Sequence, residues 1–400
     1  MSGKAHTTMV RSAPLSFQQQ ETLRNMRRTP GSEIAYDSLL VLRLHGDLDE
    51  GLLDEALIST VDRHAALRTT IAPSPSGPIQ RVHPDVDPAT VNRRAHSSSL
   101  RDMVEQIVGE RYGLAQVLGG RPLFRAGLHR VGDDVHLVFA IHHMIFDGWS
   151  TNLLLRDVAE FYAARLERRE PVLPPVGLAY ADFAEQQREV WERKGAEAVE
   201  FWDRQLGDST GEVAWPQPEN ARSIAPDTGG IVETPLSPQA VSAVRTASKR
   251  KRVTPFLVLL TATAISIARI TGTTDIFLGT DTANRENLDS QQSIGYFTNT
   301  QFSRLRATPN RLVDDLIQDV RHIFRDAAKH GDVYSGQLLE ALGRSQPVKV
   351  NLSPAPVRTG RTLALPGVRV ERVPVRTLVR YWRDFTMQWY HDGEVSSGGI

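Results

Sequence analysis

The residues with the most chemistry to offer stand together in Ile141-His142-His143-Met144-Ile145-Phe146-Asp147-Gly148-Trp149-Ser150. Two histidines close a run in which Val135, Leu137, Phe139 and Ile141 alternate with His136, Val138, Ala140 and His142, the period of a strand. An Asp-Gly turn follows, then a helical stripe of Leu154, Val158, Phe161, Tyr162 and Leu166 that Ser150 is placed to cap. A strand end joined to a loop is where a rigid scaffold displays reactive side chains. An imidazole there can act as general base or hydrogen-bond donor near neutral pH, its unperturbed pKa being about 6.5. Neighbouring strand residues point to opposite faces, so His142 and His143 hold different roles. The same geometry argues against a two-histidine chelate, even with Asp147 as a third ligand, and no metal is expected. On spacing alone, packing and backbone hydrogen bonding account for the pair at least as well as catalysis does.

The elements that must position this segment come from an ordinary globular composition, with 40% hydrophobic and 24% charged residues over 400 positions, enough for two or three domains. Forty-seven basic residues balance 47 acidic ones, so there is no overall field for nucleic acid or an anionic membrane. The absence of cysteine excludes disulfides, thiolate nucleophiles and Cys-ligated metal. Met1 to Val10 has no apolar signal core, and Pro255 to Ile270 falls short of the ~20 residues of a spanning helix. A cytoplasmic protein with no membrane role is expected. Leu39 to Leu44 reads as a strand, and Asp49 caps a helix with Leu53, Leu57 and Val61 on one face. A polar stretch (Pro73 to Arg94) and a helical segment near Leu100 to Leu118 precede a hairpin of Phe124–Arg130 and Val135–Ile141. Pro171 to Pro175 breaks the pattern and sets a boundary between residues 1–172 and 173–400. Beyond it, helices are expected at Tyr180–Leu206, Ser237–Lys249, Thr254–Ile270 and Arg311–Lys329, with a loose stretch at Gly207–Gly230. Strands are expected near Asp275–Gly279, Val348–Leu352 and Thr386–Tyr390. The basic run Lys249-Arg250-Lys251-Arg252 suits a solvated helix C-terminus, where cations complement the dipole.

His142-His143-Met144-Ile145-Phe146-Asp147-Gly148 resembles the HHxxxDG motif of nonribosomal peptide synthetase condensation domains and their acyltransferase relatives. Four further segments resemble motifs of that family, in its order: Leu15 to Gln20 its S-x-x-Q opening, Arg63 to Thr70 its RHxxLRT segment, Tyr180 to Ala184 its YxDFA segment, and Ile294 to Thr300 its IGxFxNT segment. The chain is identified on these five motifs as a member of the family. The resemblance implies an α/β fold of two chloramphenicol acetyltransferase-like halves forming a V-shaped pseudodimer with the active site between them. It implies that His143 is the catalytic imidazole, supported by His142, Asp147, Gly148 and Arg285. Asp147 would turn from the reaction centre into a buried ion pair with Arg285 of the other half, and Gly148 would leave room for the substrate arm. Trp149, Ser150, Tyr296 and Asn299 are candidates for the substrate tunnel, Trp149 also packing the loop. His64 and His330 read as structural.

The implied activity is acyl transfer: a carrier-bound acyl or aminoacyl thioester passes to an amine or alcohol, giving an amide or ester in secondary-metabolite (antibiotic) biosynthesis. No cofactor is expected to be bound; substrates ride on the phosphopantetheine arms of acyl or peptidyl carrier proteins met in trans, and a small-molecule acceptor is also possible. A thioester is already activated, so holding the reactants together supplies much of the acceleration. Three roles are open to His143: removing the acceptor proton, orienting the nucleophile, or stabilising the tetrahedral intermediate. With no cysteine to form a thioester intermediate, direct transfer without an acyl-enzyme is expected. The alternatives are an acyl-CoA-dependent O- or N-acyltransferase of the same superfamily and a catalytically silent domain that recruits a partner. One departure stands out: His330 to Gly336 replaces the family's His-x-x-x-Pro-Phe-Glu. The segment from Arg383 resembles a late family strand, and the chain stops at Ile400 before the last family elements are expected to finish, as in a truncated or short member.

Overall fold

A computed structural model describes residues 9–28, 36–110, 113–216, 233–344, 350–355, 363–375, 385–391 and 396–399. In chain order, its first elements are β1 (Arg11–Pro14), α1 (Phe17–Arg28), β2 (Asp37–Gly46), α2 (Glu50–Arg63), β3 (Thr69–Ala72), β4 (Ile79–Val82), α3 (Pro88–Val91) and β5 (Arg93–Ser97). Next come α4 (Leu100–Gly109), α5 (Leu114–Leu118), β6 (Phe124–Val131), β7 (Asp134–His142), α6 (Gly148–Leu166), α7 (Tyr180–Leu206), β8 (Glu233–Pro235) and α8 (Pro238–Lys251). The remainder are α9 (Pro255–Thr271), β9 (Asp275–Thr282), α10 (Leu288–Gln291), β10 (Asn299–Arg306), α11 (Val313–Ala328), α12 (Ser335–Ala341), β11 (Val350–Ala355), β12 (Val368–Val373), β13 (Phe385–His391) and β14 (Ser396–Gly399).

The chain divides into two compact units, and the division is not a single cut. The first unit holds residues 1–186 together with Arg285–Phe297 and 360–377; the second holds 187–284, 298–359 and 378–400. The proline-rich break at 171–175 therefore lies inside the first unit. Two later stretches also belong to it: the connection between β9 and β10, and the strand β12.

In the first unit a five-stranded sheet runs β12-β2-β7-β6-β5. β12, β2, β7 and β6 pair antiparallel, and β5 joins β6 in parallel. The β6–β7 hairpin turns through Gly132, whose φ of 59° lies in the left-handed region that glycine adopts without a Cβ penalty. Alternation decides the faces. Leu40, Leu42, Leu44, Leu137, Phe139 and Ile141 are buried on one side. On the other, Val41 and Val138 pack with Met103 of α4. Asp49 caps α2 as expected, accepting from the Leu52 amide at 3.0 Å. The helical segment expected over Leu100–Leu118 is instead α4 and α5, with Gly113 capping α5. β1, β4 and β3 form a small antiparallel sheet.

The second unit has a six-stranded sheet ordered β10-β9-β11-β13-β14-β8. One face packs Ile276, Leu278, Val350 and Leu352 against Leu260, Ala264 and Ile267 of α9 and Leu316 and Val320 of α11. The opposite face sets Phe277 and Phe302 against Ala198, Trp202 and Leu206 of α7. α9 opens at the Thr254 cap with Pro255 at its first position. It tolerates threonine in its core because Thr261 and Thr263 donate back to the carbonyls of Leu257 and Leu259, at 2.8 and 2.9 Å. Among the described residues no single helix is long and apolar enough to cross a membrane. The expected strand at 348–352 begins at Val350, its first two residues lying outside the described set, as do 217–230 of the loose stretch and Arg383 and Asp384 of the late motif.

Candidate active site

β7 ends at His142, and the chain turns at once into a single 3-10 turn, His143–Ile145. His142 caps that turn: its Nδ1 accepts from the Met144 amide at 3.1 Å. The ring has no exposed surface and stacks on Tyr36, centroids 6.2 Å apart. Burial, reinforced by the neighbouring His143, pushes its pKa down to about 3. His142 is thus a neutral lock. His143 lies outside the strand and is only partly buried, its ring tilted 50° against Tyr296 with centroids 4.2 Å apart.

Asp147 caps α6. Its Oδ1 accepts from the Ser150 amide at 2.9 Å and the Ser150 hydroxyl at 2.7 Å, while Oδ2 accepts from the Phe297 amide at 3.1 Å. Arg285 Nη2 bridges both carboxylate oxygens at 3.0 Å, and the two side chains are each about 1% exposed. Burial lowers the Arg285 pKa and Asp147 pulls it back up; a guanidinium stays charged regardless. Arg285 also donates to the Ser293 carbonyl at 2.6 Å and lies 4.2 Å from the Phe297 ring centroid. The expected pair is present, with one correction: by its contacts Arg285 belongs to the same compact unit as Asp147.

Three further expectations change. Ser150 is not the helix cap; Asp147 is, and Ser150 sits three residues on with its hydroxyl committed to Asp147 and accepting from the Gly295 amide at 3.1 Å. It has no exposed surface. Asn299, 6% exposed, uses all of its amide: Nδ2 donates to the Gly331 and Val333 carbonyls at 3.2 and 3.0 Å, and Oδ1 accepts from the Thr300 and Ser335 amides at 2.9 and 3.0 Å. It pins the segment 331–335, within the stretch that departs from the family pattern. Gly148 and Trp149 are exposed, and the Trp149 indole donates to the Gln291 carbonyl at 3.0 Å.

The other motifs are scaffolding. Arg63 and His64 converge on Asp157 of α6, each at 2.8 Å, and Arg156 meets its other oxygen at 2.7 Å. Arg68 donates to the backbone carbonyls of Val61, Asp62, His83 and Pro84. His330 stacks on Phe201 at 4.1 Å. Tyr180 donates to the Tyr296 carbonyl at 2.9 Å and packs edge-on to Phe297. Gly295 is needed there: a Cβ would stand 2.4 Å from the Tyr180 ring and 2.7 Å from that of Phe297. The S-x-x-Q opening marks the family in the sequence without showing what it does there; in the fold its Gln19 reaches the histidine loop.

The chain belongs to the condensation-domain family, whose model, described as Condensation domain, matches residues 10–353. Among curated relatives, PF 1022-synthetase of Rosellinia sp. is 30% identical over 309 residues, covering 75% of this chain and 9% of the relative. Cyclosporin synthetase simA of Tolypocladium inflatum is 28% identical over 389 residues, covering 91% of this chain and 2% of the relative. The chain thus spans less than a tenth of the length of either. In fold it is similar to the X-domain solved in complex with OxyB from teicoplanin biosynthesis, at a TM-score of 0.82 and 20% identity, covering 100% of this chain and 91% of that one. It is also similar to the condensation domain of the Monacolin K polyketide synthase MokA, at 0.79 and 21%, covering 98% and 92%. This is a condensation domain of the kind found in nonribosomal peptide synthetases.

Proposed function

We propose that the protein is an acyltransferase that joins a carrier-bound acyl or aminoacyl thioester to an amine or alcohol, with His143 as its catalytic residue. The acceptor nitrogen or oxygen attacks the thioester carbonyl, the tetrahedral intermediate collapses, and the pantetheine thiolate leaves with the proton the acceptor gave up. His143 carries that proton. The observation behind this reading is selective exposure: Asp147 and Ser150 are buried and hydrogen-bonded, His142 is neutral and buried, and His143 keeps accessible surface. Both substrates would arrive on phosphopantetheine arms in the cytoplasm, and Trp149 and Tyr296 would line their approach. The test offers one acyl group on a carrier protein and on CoA, each with pooled amines and alcohols, to wild type and His143→Ala. Product from the carrier alone, lost in the variant, supports the proposal. Equal turnover from CoA would replace it with a CoA-dependent acyltransferase.

A second reading is favoured by the likeness to an X-domain solved with a bound protein, OxyB. A recruiting domain needs no reacting imidazole. It would turn over neither donor, and His143→Ala would leave its partner affinity unchanged.

A further inference from the structure

Gln18 and Gln19, adjacent on α1, have no exposed surface. Gln19 is held at its oxygen by the Ser16 amide, at 2.9 Å, and its Nε2 donates to the Met144 carbonyl at 3.0 Å. Gln18 donates to the Phe297 carbonyl at 3.4 Å. The two carbonyls have significant neighbours. Met144 follows His143, and Phe297 follows Tyr296, the residue whose ring lies against His143. The carbonyl of Tyr296 itself is held by the Tyr180 hydroxyl, which is 2.7 Å from Ser16 Oγ. One turn at the start of α1 therefore reaches the backbone on both sides of the histidine–tyrosine contact.

We infer that Gln18 and Gln19 are positioning residues that fix the His143 imidazole against Tyr296, Gln19 by holding the loop that carries the histidine and Gln18 by holding the strand of chain that carries the tyrosine. The catalytic consequence rests on His143 being the reacting imidazole. Side-chain amides suit this role because each offers a donor to a buried carbonyl without introducing a charge beside the reacting ring. An error of about 1 Å in placing a reacting group costs on the order of 10²-fold in rate, so a hold on neighbouring backbone has catalytic weight.

The test uses Gln19→Met, which fills the same space without a donor, Gln19→Glu, and Gln18→Met. The readouts are the His143 Cε1–H resonance in histidine-labelled protein, identified by its loss in His143→Gln, together with kcat and KM. Folding is checked by melting. Gln19→Met should stay folded, move the His143 resonance out of the Tyr296 ring current, and lower kcat by about tenfold or more with KM nearly unchanged. Gln19→Glu should show the same displacement at neutral pH and move back toward the wild-type position on acidification, when the protonated carboxyl regains a donor for the Met144 carbonyl. A folded Gln19→Met whose His143 resonance coincides with wild type overturns the proposal, and so does a displaced resonance with kcat unchanged. If wild type turns over no donor, the functional reading fails by itself, and the resonance still decides whether the glutamines hold the ring.

Discussion

Replacing Asp147 by asparagine removes a charge and keeps a shape. The amide oxygen can still accept from the Ser150 amide, so the α6 cap survives. What is lost is the partner of Arg285, whose side chain is 1% exposed, and the acceptor for the Phe297 amide. A buried charge left without its partner costs about 3–5 kcal/mol. An unmet buried amide costs about 1–3 kcal/mol more. The two overlap, because one rearrangement can relieve both, and about 4–6 kcal/mol is the working expectation. At about 2–4 °C per kcal/mol for a unit of this size, the melting temperature should drop by about 10–20 °C. The assay is a double-mutant cycle with Arg285→Met. Taking both charges out should cost about 2 kcal/mol or more less than the sum of the single substitutions. Raising salt should change little, since neither group meets solvent. Melting of Asp147→Asn within about 2 °C of wild type, or a cycle that adds to within about 0.5 kcal/mol, would refute the claim that this pair anchors the loop.

The remaining predictions concern pH and packing. His142 has its folded pKa pushed down to about 3, and His64, His129 and His136 are lowered as well, burial being the largest cause in each. The unfolded chain therefore binds more protons below about pH 6.5, so stability is full above that and lost as pH falls. His142 alone should account for about 2 kcal/mol between pH 6.5 and 5, and His142→Asn, which keeps an acceptor for the Met144 amide, should flatten melting temperature against pH by that amount. Gly295→Ala places a methyl 2.4 Å from the Tyr180 ring, and should cost about 1–3 kcal/mol and shift the His143 resonance through Tyr296. Asn299→Ala removes four hydrogen bonds and should speed proteolysis of the segment 331–335 while leaving the His143 resonance in place. A displaced resonance would return Asn299 to the site.

Much of the frame was legible because its signals are local. The cap at Asp49, the start of a helix at Thr254, and the uninterrupted helix Tyr180–Leu206 are written into a few consecutive residues. β10 was not read because Asn-Thr-Gln-Phe-Ser-Arg-Leu-Arg mixes polar and apolar side chains on both faces, so alternation gives no signal. The choice of cap for α6 misled for a related reason: Asp147 and Ser150 are both good caps, and only the Arg285 and Phe297 partners decide for the aspartate. Arg285 itself is 138 residues from Asp147, and no periodicity links them; the pairing was reachable only through resemblance.

The same distance explains why the boundary drawn at 172 could not describe the molecule. A linker composition marks where the chain is free to bend, whereas a compact unit is defined by contacts that ignore chain order. The connection between β9 and β10 carries Arg285, Tyr296 and Phe297, and its contacts gather it into the first unit with His143 and Asp147. The histidine segment alone supplies the His143 ring and one half of the lock. The ring's neighbour and the other half of the lock arrive from that later connection, and the carbonyls that fix them are met by α1 at the start of the chain. A motif spelled by seven consecutive residues thus depends for its geometry on segments far apart in the sequence. Substitutions at Gln19, Gly295 or Arg285 should disturb His143 more than an exposed change at Trp149, which lies only six residues from it.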